Sequence, residues 1–327
     1  MTSDTLAAYI ERFQKLRLDK SHSRWTELTK HAAPYKPFLL LAVMDLIAQG
    51  SITTNLIEIT PDLGEIFSVY CSFVLSPGRR GSLNLPFSHL RSDGFWHLLP
   101  QPGQEALVEA QLQFKSIVKL KEAVLGAKLV DHLFELLCVQ ETRDALRQVL
   151  IETYFALEIQ PKLIEQGIIN HNAYQYSQQL LKRKKRKIKE SSPDTGIEKP
   201  VRDQGFKRAI VKAYDHRCAF CGIRMQTPDG HTAVEAAHII PWSESYDDSP
   251  QNGMALCRLC HWTFDEGLLG VSDEYELIGS PQLKATHNIP GHINTLVSRG
   301  IIGPQEEYLW PDTEALIWHR EKVFSRY

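Results

Sequence analysis

Two Cys-x-x-Cys pairs, Cys218/Cys221 and Cys257/Cys260, bracket His238 and Asn252, and His261 follows the second pair directly. A two-residue spacer lets both thiolates of a pair reach one ion. Four sulfurs complete a tetrahedron, so the spacing points to a closed, structural Zn(II) site. A redox couple or a pair of buried thiols would explain one such motif; two of them, with no secretory signal in front, favour zinc. His238 sits on the short apolar run Ala-Ala-His-Ile-Ile that Pro241 ends, which reads as a strand or strand edge. After the polar start Asn252-Gly253, the residues Met254, Leu256, Leu259 and Phe264 recur at roughly helical spacing, which predicts a helix carrying His261.

The combination of His238 in Ala-Ala-His-Ile-Ile-Pro, Asn252 in Asn-Gly-x-x-Leu-Cys and His261 in Cys-His-Trp-Thr-Phe-Asp-Glu-Gly resembles the His-Asn-His (HNH) endonucleases. That resemblance implies a ββα-metal fold, with two strands and a helix around one catalytic Mg(II) or Mn(II). It also implies that His238 is the general base and His261 a ligand of the divalent ion. Asn252 would either order the loop supporting His238 or lend its side-chain oxygen to the metal. The residue types suit phosphodiester hydrolysis, in which a water must be deprotonated and negative charge on the phosphate neutralised. Related sequences often carry an acidic residue just before the first histidine, where this chain has Ala237. Glu235, and Asp265 one turn after His261, are the nearest carboxylates able to complete or orient the ion's shell.

The elements that must present DNA to such a centre are expected upstream. Amphipathic spacing predicts a helix over about 5 to 18, another from Pro37 to Gly50 and a third from about Leu63 to Leu75. Two or three more are expected between Gln104 and Leu157. Cys71 and Cys138 fall in apolar helical patterns and are expected in the core. Tyr35-Lys36-Pro37 and the stretch from Pro77 to Trp96, with Leu85-Pro86-Phe87 and Leu90-Arg-Ser-Asp-Gly-Phe-Trp96, resemble the sulfur-binding domain that precedes HNH cores in nucleases recognising phosphorothioate DNA. That family commonly has His-Arg-Pro and Tyr-Pro-Phe at these places. Lys36 keeps the charge of the arginine without its bidentate fork. Leu85 and Pro86 can still form an apolar cup for a soft, weakly hydrated sulfur. Asp93-Gly94-Phe95-Trp96 also fits a plain hairpin turn with core aromatics. Arg79 and Arg80, on a glycine-flanked loop, suit phosphate and base edges. With Tyr35, Lys36, Leu85, Pro86, His89 and Arg91 they make up the expected DNA-binding set.

At 327 residues, with 43% hydrophobic and 23% charged side chains, the chain has material for two cores. The run from Phe38 to Ile47 is too short to span a bilayer and contains Asp45, and the N-terminus lacks the basic start and apolar core of an export signal, so a cytoplasmic location is expected. The net charge of -2 hides an asymmetry: residues 182–200 carry 8 basic and 3 acidic side chains. This tract reads as an exposed joint that either is merely solvated or adds salt-dependent phosphate affinity.

The expected architecture is therefore α+β: a mainly helical DNA-reading domain over 1–181, a basic linker over 182–200, and a zinc-stabilised ββα-metal nuclease over 201–327. Near its end, Leu316-Ile-Trp-His-Arg320 predicts a last helix packing back on the nuclease. The expected activity is restriction of double-stranded, modified DNA, phosphorothioate first, by a homodimer, because one centre cuts one strand. The alternatives are an HNH nuclease cutting an unmodified sequence and a non-catalytic zinc-ribbon DNA-binding protein.

Overall fold

The computed structural model describes residues 5–76, 79, 81–110, 113–182, 196–285 and 293–326. They form two compact units. The first holds the chain up to His171 together with Thr227–His231, and the second holds Asn172–Gln226 and Thr232–Tyr327.

In the first unit the helices are α1 (Leu6–Gln14), α2 (Tyr35–Ala48), α3 (Pro61–Ser72) and α4 (Asn84–His89), followed by strand β1 (Trp96–Pro100). Next come α5 (Glu105–Glu109), α6 (Ile117–Ala123), strand β2 (Val124–Leu129), α7 (Asp131–Cys138), α8 (Gln140–Tyr154) and the start of α9 (Gln160–Lys182). α2 is apolar on every side, and from Lys36 to Ile47 each of its residues is buried, as a helix at the centre of a core must be. The other elements wrap it.

The stretch from Gln104 to Leu157 holds a strand as well as helices. Val124–Leu129 pairs antiparallel with β1, Trp96 opposite Leu129. Gly126 permits the second approach that this strand makes: a Cβ there would lie 2.5 Å from the carbonyl oxygen of Ile57, which bridges to Ala127. Asp93 and Gly94 close a short 3-10 turn, Gly94 in the left-handed region at φ 79°, before β1 begins. Cys71 is buried, whereas Cys138 is exposed at the end of α7, contrary to its apolar sequence context.

Asp45, the one acid in α2, is buried and fully engaged. It pairs with Arg147 of α8 and accepts hydrogen bonds from the Tyr70 hydroxyl (2.8 Å) and Asn170 Nδ2 (2.8 Å). Burial, and next the charge of Asp45, push the Tyr70 pKa up, which keeps that hydroxyl a donor. Removing one partner of such a cluster strands the other charge in the core. Asp45→Ala is expected to cost about 3–5 kcal/mol of stability, read as a lower urea midpoint for the transition of the first unit.

The second unit contains the rest of α9, then α10 (Lys199–Ala213), strand β3 (Val234–His238), α11 (Trp242–Ser245), strand β4 (Gly253–Cys257) and α12 (Arg258–Asp265). Strands β5 (Leu269–Val271) and β6 (Leu277–Gly279) and helices α13 (Pro281–Ala285) and α14 (Thr313–Lys322) complete it. β3 and β4 are antiparallel with His238 opposite Gly253, and α12 follows β4 without a break. Met254 and Leu256 therefore belong to a strand, and the helix that carries His261 begins only at Arg258. The run Gly-Met-Ala-Leu of β4 is buried throughout, and a short apolar run buried on both faces satisfies helical and extended spacing alike. Among the described residues no helix is long and apolar enough to cross a membrane.

Candidate active site and metal centre

The four cysteines converge. All their Sγ atoms lie within 4.8 Å of one another, and Cys221 and Cys257 are 3.7 Å apart, close to the ~3.8 Å edge of a tetrahedron built with Zn–S bonds of about 2.3 Å. Cys218 and Cys221 stand on a tight turn in which Gly222 N–H donates to Cys218 O (3.0 Å), and Ala219 N–H ties the turn to β4 through Ala255 O (2.8 Å). Cys257 ends β4 and Cys260 lies in the first turn of α12. A hydrogen bond from Cys260, aided by backbone N–H groups, lowers the Cys218 thiol to about 5, while burial raises Cys221 to about 12 and interaction with Cys218 raises Cys260. Four thiols that cannot all ionise side by side suit a dication that neutralises them together.

The same β3-β4-α12 unit sets the histidines. His238 closes β3, and the Phe206 ring of α10 stacks on its imidazole at 3.8 Å and 11°. Gly253, opposite, makes this possible: a Cβ there would come within 2.8 Å of Phe206 Cζ and 2.5 Å of Ile210 Cδ1. Asn252 is 3% exposed, and its amide is spent on the chain that follows β3. Its Oδ1 accepts from Ile240 N–H (2.9 Å), and its Nδ2 donates to Ile240 O (3.0 Å) and Asp247 O (2.9 Å). Of the two roles expected for Asn252, this geometry supports the ordering of the loop.

His261 lies between two carboxylates, Nδ1 3.6 Å from Glu235 Oε2 and Nε2 3.4 Å from Asp265 Oδ2. Glu235 also binds Arg258 (3.2 Å). His238, His261 and Asp265 line one cleft of about 750 Å³, together with Trp242, Trp318 and Lys322. Glu235 is not part of its wall, so of the two carboxylates flanking His261 only Asp265 shares the cleft with it; Glu244 and His319 line the cleft as well. Burial raises the pKa of Asp265 and the neighbouring His261 opposes it. Ala237 is fully buried and offers the cleft nothing. On α14, Arg320 donates to Val271 O (2.7 Å) and pairs with Asp273, tying the last helix to β5.

Sequence spacing missed Asp248. Its Oδ1 is 2.8 Å from His238 Nε2, and Tyr176 donates to its Oδ2 at 3.0 Å. Nothing in Tyr-Asp-Asp-Ser249 marks the second acid; only its meeting with His238 in space does.

In the first unit Arg79 and Gly81 come near Tyr35, and His89 near Lys36, at the N-terminal turn of α2. Tyr35 packs edge-on against Trp25 (5.5 Å), and Gly81 leaves room for its ring. Burial raises the Tyr35 pKa, Cys71 adds to this and the Arg79 charge opposes it, so Arg79 is near. Burial, with Lys36 and Arg91 nearby, lowers the pKa of His89. Leu85 is 44% exposed on α4 while Pro86 is buried. Arg91 donates a long bond to Val108 O (3.4 Å). Arg80 and residues 183–195 of the basic tract lie outside the described residues.

Lys36 departs from its expected role. Its ammonium donates to Asp93 Oδ2 (2.6 Å), Arg17 O (2.9 Å) and Ser92 Oγ (3.1 Å). These satisfy all three donors of a side chain only 6% exposed, so the charge stabilises the Asp93 turn and is not presented to solvent.

The β-β-α unit with its histidines and its sulfur cluster lies in the segment 218–272, which the HNH endonuclease family model matches. A second model, the ScoMcrA-like DNA sulfur-binding domain, matches residues 7–169, so a region similar to a DNA sulfur-binding domain precedes one similar to HNH endonucleases. Among solved structures, one match is a "Modification dependent TagI restriction endonuclease", 24% identical with a TM-score of 0.28, covering 38% of this chain and 40% of that one. No curated protein matches.

Proposed function

We propose that this chain is a restriction endonuclease that hydrolyses modified double-stranded DNA, with phosphorothioate as the modification read. The observation carrying the proposal is that His238, His261 and Asp265 line one cleft in a chain whose other half matches a DNA sulfur-binding domain. The expected division is a reader over 1–181, a basic linker over 182–200 and a nuclease over 201–327; the compact units instead divide at His171, so Asn172–Lys182 of α9 belongs with the nuclease.

His238 takes a proton from the attacking water, whose oxygen bonds to phosphorus as the bond to the 3′ oxygen breaks; solvent protonates the leaving oxygen. His261 Nε2 and Asp265 Oδ2, 3.4 Å apart at the cleft, would hold the divalent ion. When bound there, Mg(II) or Mn(II) supplies the positive charge that phosphate and leaving oxygen need. Glu235, bridging Arg258 and His261 Nδ1, orients the imidazole from outside the cleft. Asn252 holds the loop after β3, and the four cysteines hold Zn(II) as a structural pin under β4 and α12.

In the reader, exposed Leu85 and the half-buried Tyr35 ring form the apolar side of a sulfur cup, while Pro86, expected in that cup, is buried on the core side of α4. Arg79, Arg80, His89 and Arg91 supply its polar and phosphate contacts. Duplex cleavage requires two centres, supplied by a homodimer on DNA.

The test compares cleavage of two plasmids of one sequence, with and without phosphorothioate linkages, in Mn(II). The sulfur-bearing plasmid is expected to be cut more efficiently by roughly 10-fold or more, the worth of one specific contact. Equal cleavage would leave the nuclease intact and remove the modification dependence.

A further inference from the structure

His238 is held from behind by a buried acid on a separate loop. Asp248 is 2% exposed at its side chain and lies between α11 and β4. Its Oδ1 meets His238 Nε2 at 2.8 Å, while its Oδ2 accepts from Tyr176 (3.0 Å) and lies 3.6 Å from Arg202 Nε. Arg202 is itself held against the Trp242 ring, 3.6 Å from its centroid. Asn252 fixes the backbone one residue before the acid, through Asp247 O. The ring of His238 is thus clamped on one face by Phe206 and at one nitrogen by Asp248.

An ionised carboxylate only accepts hydrogen bonds, so Nε2 is the nitrogen that carries hydrogen, leaving the Nδ1 lone pair basic. Among the described residues Nδ1 has no hydrogen-bond partner, and His238 lines the cleft. We infer that Asp248 is the positioning residue of His238: it selects the Nε2–H tautomer, aims Nδ1 at the attacking water, and balances the imidazolium formed when that proton arrives. This rests on His238 being the base. It gives Asn252 a route to the chemistry, since the loop that Asn252 orders is the loop that carries Asp248.

Asp248→Asn is the decisive variant because it keeps shape and reverses polarity. Arg202 can only donate, so the new amide places its oxygen toward Arg202 and Tyr176 and its NH2 toward His238. Nε2 must then accept, and the proton moves to Nδ1, where it blocks the base. The expected result is a kcat for nicking lower by about 10²- to 10³-fold, with KM for DNA within roughly twofold of wild type. Nitrogen-15 NMR of histidine-labelled protein, with His238→Ala used to assign the signal, is expected to show Nε2–H at His238 in wild type and Nδ1–H in the variant.

A wild-type Nδ1–H tautomer, or an Asp248→Asn kcat within about threefold of wild type, overturns the inference. The wild-type spectrum decides even if the variant folds poorly. An inactive His238→Ala beside an active Asp248→Asn discards only the role of Asp248; an active His238→Ala discards the base assignment as well.

Discussion

His238→Ala is expected to bind DNA as the wild-type protein does and to nick it roughly 10³- to 10⁴-fold more slowly, the scale on which a positioned general base contributes. The loss should fall on kcat, because the imidazole accepts a proton in the transition state and makes no other contact with DNA in this mechanism. The ring seats against Phe206 at the end of β3, and its removal leaves the β3-β4 pairing in place. Single-turnover nicking of supercoiled plasmid in Mn(II), alongside a binding titration, separates the two quantities. Unchanged nicking would remove His238 from the mechanism and point to a different catalytic group, whereas no nicking by the wild-type protein would favour a non-catalytic zinc-ribbon DNA-binding protein. Weakened binding with unchanged kcat would assign the residue to DNA affinity.

The largest effect on stability is expected at the sulfur cluster. Cys260→Ala, or removal of zinc by a strong chelator, should unfold the second unit while the first keeps its helical signal. Structural zinc sites supply about 10–16 kcal/mol, as much as a whole domain's usual net stability of about 5–15 kcal/mol. The cluster joins the 218–221 turn to the end of β4 and the start of α12, so without it the strand paired with the His238 strand and the helix carrying His261 and Asp265 lose their common anchor. Two measurements check this: one zinc per chain by elemental analysis, and loss of protease resistance confined to residues after about 200 on chelation. A chelated protein that keeps its fold would reduce the cysteines to ordinary core thiols. The two predictions are independent, since His238→Ala should retain its zinc.

The chemistry-bearing residues that were legible in sequence are those whose partners lie close along the chain. Two-residue spacers place paired thiolates on one ion in any tight turn, and His261 and Asp265 share a helix face by the 3.6-residue period. The central helix of the reader was legible because ten residues from Phe38 to Ile47 include a single charge. Where two readings had the same local signature, sequence could not choose. The run from Met254 to Leu256 fits either period, and it is a strand because β3 lies beside it. Cys138 has apolar neighbours yet ends a helix in solvent.

Lys36 and Asp248 mark the boundary more sharply. A lysine before proline at a helix start has the chemistry of a phosphate ligand, but whether its charge faces DNA depends on Asp93, 57 positions away, folding back onto it. Asp248 is one acid among several in a polar loop, and it serves His238 only because Asn252 closes that loop and Arg202 and Tyr176 arrive from other helices. Sequence by itself determined the donor types, the zinc spacing, the α+β content and the two classes of domain, because these depend on local geometry and composition. Tertiary structure decided which of the carboxylates beside His261 enters the cleft, which acid meets His238 and which cation is consumed inside the fold, because each depends on distances between residues that the chain connects only by folding.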